Sequence, residues 1–586
     1  MCRKGRSRAR CSEYPRDCRA FAREVAEVER ATFVVSGSVL RPGLRRALTA
    51  KVRARRNPRC EAGSWSDIVA IDDEISNRLV TNRNERSGRR SAGAASCEGR
   101  DRLAGERDDI SHWVESAALR RLAAQASAEL DDAVEELRLH ERFVDRLGLR
   151  EDERVREIVA ELVAVVQHAA QTTQASEPGD AWRARARLRL LRQLLAILRT
   201  ILQWGSPSYD QSVEVAFFDP SDQRYEGVNY ARYGSRALHD LEVSLAEILN
   251  LGHAGVDVLA TSSGMAAYHL IESFLIRDVL APGDVVISAP SLYFEVAEQL
   301  ESLSFLRIIR SESHDASELV RLAEATRAKV IFVDPMANVP GLAVVDFREL
   351  ARLTRRGWAD RWIVADGTMV SGGIPIHRWF AGDEHPRVLY YESASKYLQL
   401  GLDLQMAGLC AVPREDGPRF RKLRRNTGTT MYPFDVARFP RFGREEFLAR
   451  MRVLTENAEA LVAEIGGDRE LQREIKLGYP ARWRRLGWNH GGGVVTATFA
   501  RPEKNTSDGI ELAIECILRE ARAQNVRLTK GLSFGCAATR ISAASANTEG
   551  IRPYLRFSLG EEPSDSQLHQ RAAIRAGLRG FVGGDA

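Results

Sequence analysis

The spacing of apolar side chains changes along this 586-residue chain and divides it into regions of different predicted structure. From Ser111 onward, apolar positions recur at steps of three and four residues, which is the period of an amphipathic helix. Breaks at Gly148 and at the Pro178 and Gly179 pair separate the helical stretches from one another. The stretches are predicted at 111–147, 151–175 and 181–204. The pattern therefore predicts a helical extension over residues 106–205.

After residue 206 the pattern changes to short apolar runs that are bounded by Gly, Pro or Asp and separated by amphipathic stretches. The runs are VDVLAT, DVVISAP, KVIFVDP, WIVADGT and RVLYYES. Buried strands that alternate with helices are typical of βαβ units, which build a mainly parallel sheet covered on both faces. We therefore predict an α/β domain over residues 206–455, with ligands bound at the carboxyl ends of its strands.

The last part of the chain begins near a long amphipathic stretch, EEFLARMRVLTENAEALVAEI. Three apolar runs follow it, namely GGVVTATFA, RLTKGLSFG and YLRFSLGEE. Runs of this length after a long helix predict a smaller α+β domain with some antiparallel strands. We assign this domain to residues 456–586.

Charge separates the first hundred residues from the rest. Residues 1–105 contain 24 Lys and Arg against 13 Asp and Glu, a net charge of +11, whereas the remainder of the chain carries −6. This basic head is rich in Arg, Ser, Gly and Ala and has little periodicity, so we predict that it is disordered. Some electrostatic affinity for phosphate backbones follows from the charge, but the head lacks a helix-turn-helix pattern and interleaved aromatic residues, and no nucleic-acid partner is expected.

Cysteine spacing and hydropathy narrow the cellular context. None of the eight cysteines forms a CxxC pair, so no metal site is expected and a reduced, cytoplasmic protein is the simpler interpretation. The N-terminus has no apolar core of signal-peptide length. The most apolar stretch, LRLLRQLLAILRTILQW, carries three arginines and is shorter than a bilayer span, so no membrane association is predicted.

A lysine stands at the end of one predicted strand, in YYESASKYLQLG. Lys396 at an apolar strand end has its charged form disfavoured, and a neutral amine there can act as a nucleophile or form a Schiff base. Taken alone, the tetrapeptide SASK is more often explained by a solvated lysine at the start of a helix. About thirty residues earlier, WIVADGT ends another strand with Asp366, whose carboxylate could either cap a turn or pair with a protonated heteroaromatic nitrogen.

The segment TSSGMAAYHLIESFL is compatible with an anion site and equally with a tight strand-to-helix turn capped by serines. A strand runs into a small-residue turn and then into a helix, so the amides of Gly264 and Met265 point out of a helix N-terminus, where the helix dipole favours an anion. The hydroxyls of Ser393 and Ser395 could complete such a phosphate cradle. Tyr293 follows the next strand, DVVISAP, and its ring could stack on a planar ligand or lie in the core.

The order and spacing of these pieces resemble the Cys/Met-metabolism family of pyridoxal-phosphate (PLP) enzymes, which includes cystathionine γ-synthase, the cystathionine lyases, methionine γ-lyase and the homoserine sulfhydrylases. The resemblance runs from about residue 209 to residue 580. It implies PLP fold type I, the aspartate-aminotransferase type, with PLP as cofactor and an assembly of dimers that share active sites. The expected form is a homodimer or homotetramer.

The resemblance also implies a role for each matched residue. Lys396 would hold the cofactor and move protons, Asp366 would meet the ring nitrogen and Tyr293 would stack on the ring. Gly264, Met265, Ser393 and Ser395 would hold the phosphate, together with Tyr230 and Arg232 from the neighbouring subunit. Arg556, in YLRFSLGEE, would bind the substrate carboxylate, which suits the planar guanidinium. Ser533 and Asn338 match family positions near the substrate.

The departures from the family pattern lie around the substrate. Phe294 and Glu295 stand where the family commonly has two glycines, and Leu402 stands in place of a histidine in a loop that is one residue longer. Asn338 is separated from Pro340, where the family has an Asn-Pro pair. The cofactor prediction is unaffected by these changes, whereas the identity of the substrate is left open.

The sequence therefore predicts a PLP-dependent lyase or transferase that eliminates or replaces a group at Cβ or Cγ of an amino acid, with a role in specialised biosynthesis as one option. An aminotransferase is the alternative within enzymes, because it needs the same lysine and aspartate. The alternative of another class is a nucleic-acid-binding regulator in which the PLP fold acts as a sensor. For the helices of residues 106–205 we predict a role in oligomerisation or partner docking.

Overall fold

The computed structural model describes residues 231–584 apart from 252–254, 546–551 and 563. It also describes two short paired strands, Phe217–Phe218 (β1) and Tyr225–Glu226 (β2), and isolated positions between residues 124 and 193. All of these lie in one compact unit, Cys97–Ala586. The predicted disordered head, residues 1–105, lies outside the described residues, and so does most of the helical extension. Those positions of the extension that are described are all helical.

The first of two large sheets has seven strands in the order β3-β9-β8-β7-β6-β4-β5. The strands are Val256–Thr261 (β3), Val285–Ser288 (β4), Arg307–Arg310 (β5), Val330–Val333 (β6), Trp362–Asp366 (β7), Arg387–Glu392 (β8) and Gly408–Pro413 (β9). Strands β4 to β8 are parallel to their neighbours within this group, whereas β9 pairs antiparallel with both β8 and β3. The predicted mainly parallel sheet is confirmed, with VDVLAT as an antiparallel edge strand.

Alternation along the strands gives this sheet two buried faces. Tyr391, Val364 and Phe332 belong to one apolar cluster, which the helix Gly264–Phe274 covers, and their chain neighbours belong to the cluster on the opposite face. Such two-sided burial is expected where helices cover both faces of a parallel sheet.

Helices connect the strands and cover both sheets. Those of the first part are Arg236–Ile248 (α1), Gly264–Phe274 (α2), Phe294–Glu301 (α3), Ala316–Thr326 (α4), Phe347–Leu353 (α5), Ile376–Trp379 (α6), Gly417–Thr427 (α7) and Pro433–Arg438 (α8). Those of the second part are Arg444–Gly466 (α9), Arg469–Glu474 (α10), Ser507–Ala523 (α11) and Ser564–Gly583 (α12). Local caps fix where many of them begin, because a short polar side chain satisfies an amide of the first turn. At α2 the Ser263 hydroxyl accepts from the Ala266 amide at 3.0 Å.

The second large sheet has five strands in the order β10-β11-β14-β13-β12. The strands are Ile475–Gly478 (β10), Val494–Phe499 (β11), Thr529–Lys530 (β12), Arg540–Ala544 (β13) and Tyr554–Ser558 (β14). All pairs are antiparallel except β12 with β13. A separate apolar cluster packs α11 and α12 against one face of this sheet. The predicted run RLTKGLSFG forms a strand only at its two residues Thr529–Lys530.

The described residues contain no helix that combines the length and the apolar composition needed to cross a bilayer. In the same part of the chain, no group of three or more His, Cys, Asp or Glu side chains is arranged to hold a metal ion. The domain limits predicted at residues 106, 206 and 456 stay predictions, since both large sheets lie within the one compact unit.

Candidate active site

A cavity of about 730 Å³ opens at the carboxyl ends of β6, β7 and β8, and loops from the five-stranded sheet close its other side. Ten of the residues singled out in the sequence line it. They are Gly264, Met265, Tyr293, Asn338, Asp366, Ser393, Ser395, Lys396, Ser533 and Arg556. Positions that are almost three hundred residues apart in the chain therefore meet in one space. The roles assigned to them stay predictions.

The anion-binding end of the cavity is the N-terminus of α2. Ser263 is the N-cap of α2, and its hydroxyl accepts a hydrogen bond from the Ala266 amide. The amides of Gly264 and Met265 lie in the same first turn, where no intrahelical carbonyl is available to them. Ser393 lies directly opposite. A Cβ at Gly264 would be 2.9 Å from the Cα and the Cβ of Ser393, so only glycine leaves room between the helix and the end of β8. Small residues on both sides thus expose backbone amides at a helix N-terminus, where an anion is favoured.

Asp366 is the last residue of β7 and lies in the cavity. The Thr368 amide donates to its Oδ1 at 2.8 Å. Burial raises the pKa of this carboxyl, while hydrogen bonds from Thr368 and from the Tyr391 hydroxyl oppose the rise. A carboxylate held in this way is costly to leave unpaired, so a protonated nitrogen placed beside it would be favoured.

Lys396 extends into the cavity from the loop after β8, and its Nζ donates to Ser533 Oγ at 3.0 Å. Burial lowers the pKa of the Lys396 ammonium, and the nearby charges of Arg556 and Arg540 act in the same direction, against the carboxylate of Asp403. A larger fraction of the amine is therefore neutral at a given pH than for a lysine in water. This is the property expected of a nucleophilic or proton-moving lysine.

The loop that carries Lys396 is packed tightly against the segment 533–537 of the second sheet's side. Gly535 has φ +75, and a Cβ there would lie 2.8 Å from the carbonyl carbon of Lys396. A second close approach occurs at Gly401, whose carbonyl accepts from the Ala537 amide at 3.2 Å. The main chain of the lysine is thus fixed from the other sheet.

Tyr293 lies just before α3 and is partly exposed at the cavity. Burial raises the pKa of its hydroxyl to about 12, and a hydrogen bond to the Glu295 carboxylate adds to the rise. The hydroxyl is therefore protonated at neutral pH and able to donate. Phe294 stands beside it, with the two ring centroids 5.0 Å apart. The bulky pair noted in the sequence thus lies at the mouth of the cavity.

Arg556, in β14, forms the opposite wall. One of its terminal nitrogens donates to Asn338 Oδ1 at 3.3 Å, and the other donates to the Leu532 carbonyl. Its Nε is buried and has no hydrogen-bond partner among the described residues. Asn338 is itself held in place, since the Tyr554 hydroxyl donates to its carbonyl at 2.8 Å. A buried guanidinium with spare donor capacity is suited to a carboxylate ligand.

The two predicted phosphate-binding serines differ in their surroundings. Ser393 donates its amide to Thr368 Oγ1 at 2.9 Å, and its side chain faces Gly264. Ser395 uses its hydroxyl twice on Ala407, accepting from the amide at 2.9 Å and donating to the carbonyl at 3.2 Å. Ser395 therefore also anchors the loop that follows the lysine.

Of the two cofactor contacts predicted from the neighbouring subunit, the structure describes Arg232. Tyr230 lies outside the described residues. Arg232 is exposed in the short turn Ala231–Tyr233, where its carbonyl accepts from the Thr430 hydroxyl at 3.2 Å, and it does not line the cavity. Its predicted role across an interface stays a prediction.

Asp334, Thr368 and Asp403 are among the cavity residues that were not singled out in the sequence. Asp334 follows β6 just as Asp366 ends β7, and burial together with the charge of Asp366 raises its pKa. Thr368 connects Asp366 to Ser393, and Asp403 pairs with Arg540 at 3.3 Å. The Asp in KVIFVDP was a usable signal for Asp334, because it follows a strand whose end meets the same edge of the sheet.

Comparison with known proteins agrees with this architecture. Residues 197–473 match the model of the Cys/Met metabolism PLP-dependent enzyme family. The bifunctional enzyme flvA of Aspergillus flavus is 38% identical over 398 residues, which are 67% of this chain and 48% of that protein. Cystathionine beta-lyase of Schizosaccharomyces pombe is 27% identical over 236 residues, 40% of this chain and 56% of that protein. The chain thus spans about half the length of these curated relatives.

The solved structures similar to this chain include cystathionine gamma synthase from Xanthomonas oryzae pv. oryzae in complex with aminoacrylate and cysteine. It superimposes with a TM-score of 0.50 at 22% identity and covers 64% of this chain and 93% of its own. Identity at this level shows the fold alone. The fold is that of PLP fold type I, as predicted from the sequence.

Proposed function

Residues 197–473 belong to the Cys/Met metabolism PLP-dependent enzyme family, and from this premise we propose that the chain catalyses β- or γ-elimination or replacement on an amino-acid substrate. The observation that carries the proposal is the meeting of Lys396, Asp366 and the N-terminus of α2 in one cavity. An amine, a carboxylate and an anion site are the three groups needed to hold an aldehyde, a ring nitrogen and a phosphate.

The residues present fit PLP. The amides of Gly264 and Met265 precede the first intrahelical hydrogen bonds of α2, and the main chain at Gly264 approaches Ser393 so closely that a Cβ there would clash with it. Asp366 is positioned by the Thr368 amide, and Lys396 contacts a hydroxyl, Ser533, rather than a carboxylate. When bound, PLP supplies an electrophilic carbonyl and a ring that withdraws electrons from the substrate α-carbon.

We assign the movement of protons to two side chains. Lys396 takes the proton from the α-carbon, because burial lowers the pKa of its ammonium and leaves more of it as a base. Tyr293 donates a proton to the leaving group, because its hydroxyl is protonated at neutral pH and lies at the open end of the cavity. Glu295 accepts a hydrogen bond from that hydroxyl and orients it.

Orientation of the substrate falls to the opposite wall. Arg556 pairs with the α-carboxylate through N–H groups, such as that of Nε, that do not bond to the protein. Asn338 orients the guanidinium by accepting one of its hydrogen bonds. This fixes the direction in which the α-proton leaves relative to Lys396. Replacement of the family's glycines by Phe294 and Glu295 supports a substrate different from the common sulfur amino acids, as a specialised biosynthetic enzyme would have.

The assembly we propose is a homo-oligomer that shares active sites, with Tyr230 and Arg232 contributed by a neighbouring copy. It rests on the exposure of Arg232 away from the cavity of its own chain. Analytical ultracentrifugation with and without PLP measures the size of the assembly. A protein that sediments as a monomer and is fully active in the product assay would contradict this assembly.

The test of the function uses PLP-loaded full-length protein and a panel of amino acids that carry leaving groups at Cβ or Cγ. We expect release of the leaving group together with ammonia and a 2-oxoacid, or a substituted amino acid when a nucleophile is added. Formation of a 2-oxoacid that retains its side-chain group, with the amino group left on the cofactor, would identify an aminotransferase instead. Mass spectrometry of the products distinguishes the two results.

A further inference from the structure

At its carboxyl end, strand β8 directs alternate side chains to the two opposite faces of the sheet. Tyr391 points to the face that carries Asp366 and Asp334, because alternate residues of a strand share a face and Tyr391 pairs in register with Asp366. Tyr390 and Glu392 therefore point to the opposite face. Glu392 is completely buried there, immediately before Ser393 of the phosphate cradle. Neither the family match nor the proposed mechanism gives this carboxyl a task.

Two hydroxyls donate to Glu392. Ser371 Oγ is 3.1 Å from Oε1, and the Tyr390 hydroxyl contacts Oε2. No Lys or Arg forms an ion pair with this carboxyl within the described residues. A buried carboxylate that has only hydroxyl partners is poorly compensated, since removal from water disfavours the charged form.

Ser371 belongs to the turn 367–373, which directly follows Asp366. The turn is closed by its own backbone, with the Ser371 amide donating to the Gly367 carbonyl at 2.7 Å. From outside, His490 Nε2 donates to the Ser371 carbonyl at 3.0 Å, and the Asn489 amide donates to the Gly373 carbonyl at 2.7 Å. Glu392 is the third support, on the side of β8.

This turn connects two ends of the cofactor site. Its residue Thr368 donates its amide to Asp366 and accepts the Ser393 amide on its hydroxyl. Tyr390 packs against the first residue of the turn so closely that a Cβ at Gly367 would lie 1.9 Å from the phenolic oxygen. A shift of the Tyr390 and Glu392 pair would therefore move the partner of the ring-nitrogen carboxylate and the phosphate cradle together.

The charged and titratable groups around Glu392 favour a neutral carboxyl. Burial raises the pKa of Glu392 to about 8, and the charge of Asp366 adds to the rise, against the hydrogen bonds from Tyr390 and Ser371. Burial also raises the pKa of Tyr390, and it lowers those of His377 and His490 to about 4, so all three are uncharged at neutral pH. Strand β9 pairs Leu409 with Glu392 and brings no charge.

We propose that Glu392 is a positioning residue of the cofactor site, whose uncharged carboxyl fixes the turn 367–373 from the face of the sheet opposite to Asp366. Because Glu392 is uncharged, the negative charge at this end of the sheet stays on Asp366. The proposal rests on PLP occupying the cavity above, but not on which amino acid reacts there. Two properties follow. Hydrogen-bonding capacity at position 392 is required for PLP affinity, and negative charge at this position is not.

The experiment compares Glu392→Ala with Glu392→Gln in PLP-loaded protein. The amide oxygen of glutamine can accept one hydroxyl and its NH2 group can donate to the oxygen of the other, without a charge, so E392Q should bind PLP within about threefold of wild type. E392A leaves two buried hydroxyls unsatisfied and should weaken PLP binding roughly tenfold or more, as expected for lost buried hydrogen bonds. The matched controls are E272A and E272Q, because Glu272 is also buried and accepts the Tyr268 hydroxyl at 3.0 Å, but within α2 and away from the turn.

A second readout is the visible absorbance of bound PLP between pH 6.5 and 9.5. Wild type should show a spectral step near pH 8, as Glu392 ionises close to Asp366, and E392Q should lack it. Loss of PLP affinity in E392Q equal to that in E392A would overturn the proposal, and so would an E392A protein no weaker than E272A. If E392A fails to fold, Ser371→Ala provides the same comparison, and unchanged PLP affinity in S371A would count against the proposal.

Failure of this inference is separable from failure of the proposed function. Dialysis and absorbance report PLP binding without any substrate turnover. Release of ammonia and a 2-oxoacid reports the reaction. A protein that binds PLP as expected in all variants but eliminates no leaving group would contradict the function and leave the role of Glu392 standing.

Discussion

The cavity has two walls that are built in different ways. The wall at which we propose that PLP is held, called the cofactor wall, consists of residues at the edge of the seven-stranded sheet, namely Gly264, Met265, Asp366, Ser393 and Lys396. The wall at which we propose that the amino acid binds, called the substrate wall, consists of residues brought in by loops and by the five-stranded sheet, namely Asn338, Leu404, Gln405, Met406, Leu532, Ser533 and Arg556. The first wall presents backbone amides and short side chains at the ends of regular elements. The second presents long side chains whose positions depend on distant parts of the chain.

The two walls also differ in polarity and exposure. Met406 and Leu532 are 72% and 77% exposed, and Phe294 beside Tyr293 is 39% exposed. The cofactor wall contains no comparable exposed apolar side chain among the described residues. Exposed apolar side chains that line a cavity are typical of ligand contacts. The comparison suggests that the chemistry is set by the cofactor wall and the choice of substrate by the other.

The largest expected effect comes from the cofactor wall. Lys396→Ala removes the amine that would attach PLP and move the α-proton, so the visible absorbance of the bound cofactor should be lost and the rate should fall by roughly 10²–10⁴-fold. Spectrophotometry and product assays measure both. Lys530→Ala, which removes an exposed lysine paired with Glu511, is the control and should change neither. A K396A protein with normal absorbance would refute the assignment.

On the substrate wall, Arg556→Lys should act on binding alone. Lysine cannot reproduce the bidentate geometry, so KM should rise about 10- to 100-fold, corresponding to a charge-assisted pair of about 1.5–3 kcal/mol, while PLP affinity stays unchanged. Steady-state kinetics and PLP titration separate the two. Arg424→Lys serves as a control, because Arg424 is equally buried but pairs with Glu242 and does not line the cavity. A loss of PLP affinity with an unchanged KM would contradict the assignment of Arg556 to substrate binding.

Gly264→Ala should have a smaller effect than Arg556→Lys, and it should lower PLP affinity and leave KM nearly unchanged. The new Cβ would lie 2.9 Å from Ser393, so the phosphate cradle must widen, and PLP affinity should drop by about tenfold through lost amide contacts. KM at saturating PLP should change little. Gly466→Ala is the control, because no atom lies within 4 Å of its Cβ position. Equal behaviour of the two variants in PLP titration would show that the cradle is not at this helix end.

The last expected effect concerns stability and not the binding of PLP or substrate. Burial raises the pKa of Glu392 to about 8, so between about pH 5 and pH 8 the folded protein holds a proton that the unfolded chain releases. The free energy of unfolding should therefore decrease as pH rises through this window, and E392Q should remove that part of the decrease. Thermal melts of the apo protein at pH 5.5 and pH 8 measure it. Identical pH dependence in wild type and E392Q would contradict a proton at this site.

The sequence predicted the cofactor wall better than the substrate wall for a physical reason. Gly264, Asp366 and Lys396 stand at ends of strands and helices, and a mainly parallel sheet brings such ends to one edge whatever the details of packing. Arg556 and Ser533 were found only through the family resemblance, because no local pattern tells how the second sheet docks on the first. Thr368 and Glu392 were missed, since their importance lies in hydrogen bonds between neighbouring loops.

The fold shows the same division. Apolar runs located β3, β4, β6, β7 and β8 of the first sheet and β11, β12 and β14 of the second, whereas β5, β9, β10 and β13 were not predicted. The runs also could not tell that β3 joins the edge antiparallel to β9, because burial is the same for either direction. The run RLTKGLSFG looked like one strand, yet only Thr529–Lys530 pairs and the remainder reaches towards the cavity, where Ser533 contacts Lys396. There, contact with the site decided the local structure.

The position of Lys396 depends on Gly535, a residue that is far from it in the sequence but packs against its main chain. With φ +75 and a main-chain contact of 2.8 Å at its Cβ position, residue 535 tolerates neither a side chain nor a change of backbone region without displacing the lysine loop. A substitution there would therefore displace Lys396, although the altered residue lies almost 140 residues away from it in the chain. Engineering that reshapes the substrate loops of this protein must therefore leave glycine at position 535 if the catalytic centre is to keep its alignment.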